Sequence, residues 1–169
     1  MPSRSRPPGA AAESSASEIS SDAVTRARIE CIDAALRESE WRFRQLTDGM
    51  REVLFMDDVR THHTLYVSPA YERVWGRTCQ SLYGRPNAWM EAIHPEDLPA
   101  VRSSENGRYA SGEFEHEFRI IRPDGTVRWI RSRGFPICDI NNEVYRIAGV
   151  CEDITAQKEQ LEKIARLSR

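Results

Sequence analysis

Hydrophobic and polar positions alternate with a period of two from Phe114 to Arg133. Phe114, His116, Phe118 and Ile120 share one face, and Glu113, Glu115, Glu117 and Arg119 share the other. That period marks half-buried antiparallel strands. Pro123-Asp124-Gly125 divides the stretch. It sets a residue that cannot donate to a ladder beside two that tolerate a positive φ. The pattern predicts a long hairpin at the core of a sheet, with its second strand running to Ile137.

Upstream the period becomes helical. Residues 1–21 are rich in Pro, Ser, Ala and Gly with little to bury, and read as a disordered lead. Residues 22–38 form an amphipathic helix, with Asp22 as N-cap candidate and a narrow stripe of Val24, Ala27, Cys31 and Ala34, joined by Ile32 and Leu36. Such a stripe suits a coiled-coil partner helix or a face docked on its own domain. Helical spacing continues through Trp41, Phe43 and Leu46 to a stop near Gly49.

Val53 to Asp57 and Thr64 to Ser68 then read as a strand pair. Pro69 opens a helix carrying Tyr71, Val74 and Trp75 that stops at Gly76. Short helical pieces follow at 81–83 and 89–93, then a helix starting near Pro95 with Glu96 and Asp97 in its first turn, where acids suit the helix dipole. After the hairpin, Asn141-Asn142 turns the chain into a last strand, Val144 to Thr155, and Leu161, Ile164 and Leu167 space a final helix. Helix, two strands, short helices, three long strands and helix make an α+β fold: a five-stranded antiparallel sheet with helices on one face.

Composition narrows the function classes. The chain has 169 residues, 40% hydrophobic and 30% charged, with a net charge of −2. That charge offers no basic footprint for nucleic acid. No apolar run approaches the roughly 20 residues that span a bilayer, and no secretory core opens the chain, so the expected location is cytoplasmic. Cys31, Cys79, Cys138 and Cys151 make no CxxC or metal spacing and read as reduced thiols.

Five stretches in order carry a family resemblance. They are Tyr66-Val-Ser-Pro-Ala-Tyr-Glu-Arg-Val-Trp-Gly76, Leu82-Tyr-Gly-Arg-Pro86, Ile93-His-Pro-Glu-Asp97, Glu117-Phe-Arg-Ile-Ile-Arg-Pro-Asp-Gly125 with Trp129, and Gly149-Val-Cys-Glu-Asp-Ile-Thr155. Together they resemble a PAS domain with its C-terminal PAC segment, over residues 39–157. Residues 158–169 would begin a C-terminal linker helix. Ser68 departs from the family's usual Asn, which puts one turn contact in doubt.

The resemblance implies a sensory input module that passes a stimulus, or a rearrangement of a homodimer, to a covalently linked C-terminal effector. In relatives that effector is a histidine kinase or an enzyme of cyclic-di-GMP turnover. It also implies a pocket between helices and sheet, for which the candidate lining is Phe55, Phe114, His116, Phe118, Ile120, Ile130, Ser132 and Cys151. An unidentified small molecule or the side chains themselves would fill it. A photoactive flavin is not expected, because Pro86 and Asn87 follow Gly84-Arg85 where the light-sensing subfamily places Asn and Cys. The flavin-holding polar set falls on Ile120, Ile130 and Cys151. Haem is not expected either, since the stretch around Ala100-Val101-Arg102 has no His.

His116 on an inward strand position reads as a core histidine more readily than as a metal ligand, and no metal site is expected. His116-Glu-Phe-Arg119 is superficially like a kinase phosphoacceptor box, but it lies on a strand. No nucleophile, metal set or oxyanion donors accompany His94, Glu96 and Asp97, so no enzymatic activity is expected within the chain. For signal exit, the resemblance pairs Asp153 with a hairpin cation such as Arg122, and Thr155 caps the outgoing helix. Ile121, Trp129 and Val150 offer an outer face to Trp41 and Phe43 of the entering helix, or to a second subunit. A ligand-free structural dimerisation adaptor is the alternative reading.

Overall fold

A computed structural model describes residues 10–111 and 113–168, with side chains from residue 22 onward except for residues 105, 106 and 108–110. The elements are α1 (Ala10–Asp48), β1 (Val53–Asp58), β2 (Thr64–Val67), α2 (Ala70–Trp75), α3 (Leu98–Ser111), β3 (Phe114–Ile121), β4 (Val127–Cys138), β5 (Val144–Asp153) and α4 (Thr155–Leu167), with short 3₁₀ turns at Cys79–Ser81 and Ala88–Ala92. The chain divides into two compact units, residues 1–45 and 46–169.

The second unit is built on one antiparallel sheet in the order β2-β1-β5-β4-β3. The first strand lies beside the last, so the connection from β2 to β3 must cross the sheet. It carries α2, both 3₁₀ turns and α3. Register follows the alternation of the sequence: Phe118 faces Ile130, Ser132 faces Cys151, and Val53 faces Cys151 from the other side. Ile120, Ile130 and Ile147 are fully closed off, and Val53 and Ile154 nearly so. Burying a side chain of that size contributes about 1.5–3 kcal/mol. Tyr71 and Trp75, one turn apart on α2, stack with centroids 5.0 Å apart and close the layer.

Turn chemistry agrees with the sequence. Gly125 at φ 81° and Asn142 at φ 64° take the left-handed positions of the two hairpins, and Gly76 at φ 67° ends α2. Ser68, at the departure from the family's usual Asn, ties to β1: Leu54 N–H donates to Ser68 Oγ at 2.9 Å, and Ser68 N–H donates to Leu54 O at 2.8 Å.

Three expectations are corrected. The first helix starts at Ala10, not Asp22, so the described part of the 1–21 lead is helical; residues 1–9 lie outside the described residues. The Ala-rich run after Gly9 contains the strongest helix former and no proline. The helix near Pro95 starts at Leu98, which leaves Glu96 and Asp97 ahead of its first turn and free to reach another element. Strand β5 stops at Asp153, because Ile154 and Thr155 turn their hydrogen bonds toward Trp129.

Candidate functional site

Where the crossover lies over the sheet, a cavity of about 50 Å³ remains. Six of the eight predicted lining residues surround it: Phe55, Phe114, His116, Phe118, Ser132 and Cys151. Ile120 and Ile130 do not; both are fully buried in the core. Position on the inner strand face does not distinguish a cavity wall from packed core. The rest of the lining comes from the crossover and the first two strands, including Asp57, Thr64, Tyr71, Trp75, Leu82, Trp89 and Val101. Their helical and loop spacing carried no signal of a shared wall, although the Tyr71/Trp75 pair was visible as one aromatic face.

Glycines decide how the space is filled. Gly134 and Gly149 face each other across β4 and β5. A Cβ on Gly134 would stand 2.1 Å from the Phe114 ring, and one on Gly149 would stand 2.3 Å from the Arg133 carbonyl oxygen and 2.4 Å from the Phe55 ring. Glycine inside a strand marks such a close approach. Phe55 and Phe114 therefore lie down on the sheet with centroids 6.4 Å apart, and His116 stacks on Phe114 at 5.5 Å. Polar atoms are few: Cys151 Sγ–H donates to Ser132 Oγ at 3.3 Å in a buried pair. Burial pushes the Tyr71 phenol up to about 12. Among the described residues no cluster of three or more His, Cys, Asp or Glu side chains could hold a metal ion.

The opposite face of the hairpin carries a charged lattice. Arg119 donates to both carboxylate oxygens of Asp97, from Nη2 at 2.6 Å and Nε at 3.0 Å, and to Glu96 at 2.8 Å. The Arg119 backbone N–H adds a bond to Asp97 at 2.7 Å. The guanidinium holds the Asp97 carboxyl below its ordinary range, with its side-chain bonds the largest cause. Arg119 and Lys158 lie over the Trp129 ring, 5.5 and 4.9 Å from its centroid. Glu117 accepts from Lys158 on α4 and from Arg131 on β4, and these bonds hold its carboxyl low.

At the exit, Trp129 is bound through both backbone groups. Its carbonyl accepts from Ile154 N–H at 2.9 Å, and its N–H donates to Thr155 Oγ1 at 2.9 Å. Thr155 donates its hydroxyl and its N–H to Asp153 Oδ1. Two expectations change here. Asp153 pairs with Arg128 at 3.6 Å, whereas Arg122 pairs with Asp124 at 3.8 Å and donates to the Arg73 carbonyl at 3.1 Å. The β4–β5 register, which pairs Ile130 with Asp153, places Arg128, two residues along β4, beside the end of β5. Thr155 also does not cap α4 with its own side chain: its oxygen is committed to Trp129, and Asp153 receives the first N–H.

Of the predicted docking residues, Trp129 and Val150 lie on the lattice face, where Val150 pairs with Arg133 and Leu54. Ile121 pairs with Val127 at the end of the hairpin. Trp41 and Phe43 belong to α1.

Residues 64–151 match the family described as PAS fold. The chain is 26% identical over 132 residues to the methanogenesis regulatory histidine kinase FilI of Methanothrix harundinacea, covering 78% of this chain and 14% of that protein. The solved sensory box histidine kinase/response regulator of Burkholderia thailandensis is 28% identical at a TM-score of 0.57, covering 76% of this chain and 95% of that one. The N-terminal domain of a diguanylate cyclase with PAS/PAC sensor from Marinobacter aquaeolei shares the fold at a TM-score of 0.58 and 23% identity, covering 63% and 98%. The chain spans between 8% and 16% of the length of the curated relatives it matches.

Proposed function

This chain belongs to the PAS fold family, and on that premise we propose that it is the sensory input module of a longer signalling protein whose effector is a histidine kinase or a cyclic-di-GMP enzyme. The observation that carries the reading is the double tie between Trp129 and the start of α4. Strand β4 presents Ser132 to the cavity and Trp129 to the exit. A shift of that strand moves the helix that leaves the domain. The conformational change is relayed by hydrogen bonds between packed elements and needs no chemistry within the chain, so we assign it no catalytic activity.

The cavity sets the size of any stimulus. Ligand pockets commonly measure about 300–1,000 Å³, and about 50 Å³ holds ordered water or a very small molecule. We infer that flavin and haem are excluded by volume as well as by residue type, and that Phe55 and Phe114 fill the space a larger ligand would take. Among the described residues no helix is long and apolar enough to cross a membrane. We place the module in the cytoplasm as a homodimer, without nucleic acid.

The test is Asp153→Ala in the longer protein. Altered basal output or a lost stimulus response supports the exit; unchanged output and response remove it. Native mass spectrometry with an absorbance spectrum separates the adaptor reading. A small co-purifying species supports sensing by ligand, and a visible chromophore band contradicts the size limit. A dimer without bound species whose output ignores every variant in the cavity favours the adaptor.

A further inference from the structure

One aromatic ring stands between the buried cavity and the surface. Beside the start of β3 lies an open groove of about 420 Å³, bordered by Ser111, Glu113, Glu115, Arg133 and Gly134. Phe114 lines that groove and also the cavity of about 50 Å³ over the sheet. Among the described residues no other belongs to both walls. Much of the remaining cavity wall is closed. Val53, Val67, Tyr71, Trp75 and Leu82 are each 5% exposed or less. Phe114 is half-buried and sits between the exposed Glu113 and Glu115.

The ring is held from one side. Gly134 presents bare backbone to it, since a Cβ there would press into the ring. No side chain at that position of β4 interlocks with it. Its ring neighbours Phe55 and His116, with centroids 6.4 and 5.5 Å away, belong to the cavity wall and not to the groove. A ring packed on one side gives up fewer contacts on leaving than one packed on both. Two χ1 rotamers are common in strands, so the ring can change places while the backbone stays paired.

We propose that Phe114 is the gate of the cavity: its ring swings off Gly134 into the groove and admits small solutes to the wall formed by Ser132 and Cys151. The proposal rests on the reading of the cavity as the sensing site and specifies the way into it. Gly134 belongs to the device, because any side chain there would wedge the ring away from its closed place.

Cys151 lines the cavity and reports arrival there. The test uses the whole 169-residue chain with Cys31→Ser, Cys79→Ser and Cys138→Ser, so that Cys151 is the one thiol left. Methyl methanethiosulfonate transfers a methylthio group to the Cys151 thiolate and releases methanesulfinate, and mass spectrometry follows the rate. In this parent, labelling should be slow and insensitive to low urea, as local opening requires. Phe114→Ala removes the gate and Gly134→Ala wedges it open, and each should speed labelling about tenfold or more. Thr64→Ala trims another half-buried part of the wall and should leave the rate within about twofold. Labelling that rises steeply with urea in every protein means access only by unfolding, and overturns the gate. No gain in Phe114→Ala or in Gly134→Ala overturns it as well, and so does a gain in Thr64→Ala equal to that in Phe114→Ala. These rates read access and not output. A failed gate therefore leaves the sensing reading standing, and an output that ignores every cavity variant removes that reading without touching the gate.

Discussion

Gly149 and Gly134 look alike in sequence and differ in what surrounds them. A Cβ at Gly149 meets a backbone oxygen at 2.3 Å, which cannot step aside, whereas at Gly134 the nearest atoms all belong to the Phe114 ring, which can rotate. Gly149→Ala should therefore cost about 1–3 kcal/mol in urea unfolding, and Gly134→Ala should cost less. Equal losses at both sites would contradict this account. Asp97 supplies the second residue-scale expectation. Its folded pKa is depressed by the Arg119 bonds, so the stability it adds is fully present above its ordinary value of 3.8. That stability is lost as pH falls through the lower folded value. The gap in urea midpoint between the protein and Asp97→Asn should stay constant above about pH 5 and close on acidification. A gap that persists unchanged at the acid end would assign the loss to packing instead.

At the scale of elements, the exit junction is a short chain of bonds running from β4 through Thr155 to Asp153. Thr155→Val keeps the shape and removes the hydroxyl, leaving the Trp129 N–H without its acceptor. The expected loss is about 1 kcal/mol, with faster hydrogen exchange at the Trp129 and Ile154 amides and little change in β1 or β2. Unchanged exchange at Trp129 would show that the hydroxyl contributes nothing to the junction. Lys158, one turn into α4, adds a second tie through Glu117 and the Trp129 ring. Lys158→Ala should change Trp129 fluorescence without unfolding the sheet, and an unaltered spectrum would separate α4 from that ring.

For the whole molecule, the cavity follows from how large rings are seated over paired glycines. Phe114→Ala should enlarge it and create affinity for a small aromatic such as benzene, seen as a raised thermal midpoint in the variant and none in the parent. Apolar cavities of about 150 Å³ bind such probes. The stability loss should stay at or below the about 3–5 kcal/mol of a fully buried Phe→Ala change, because Phe114 is only half-buried. Absence of probe binding in the variant would mean that neighbouring rings collapse into the space.

Strand alternation, turn glycines and asparagines, and helix spacing determined the sheet and the order of its elements, because these are local consequences of backbone geometry and solvent contact. Alternation also placed Phe114, His116, Phe118 and Ser132 on the inner face. Only tertiary structure decided that Ile120 and Ile130 are packed core and not cavity wall, since that depends on what the crossover lays over each part of the sheet. It likewise decided that Asp97 holds Arg119, 22 residues later, and that Asp153 takes Arg128 in place of Arg122. Ion pairs between distant elements are set by strand register and by which segments pack together, and no period in the sequence records either.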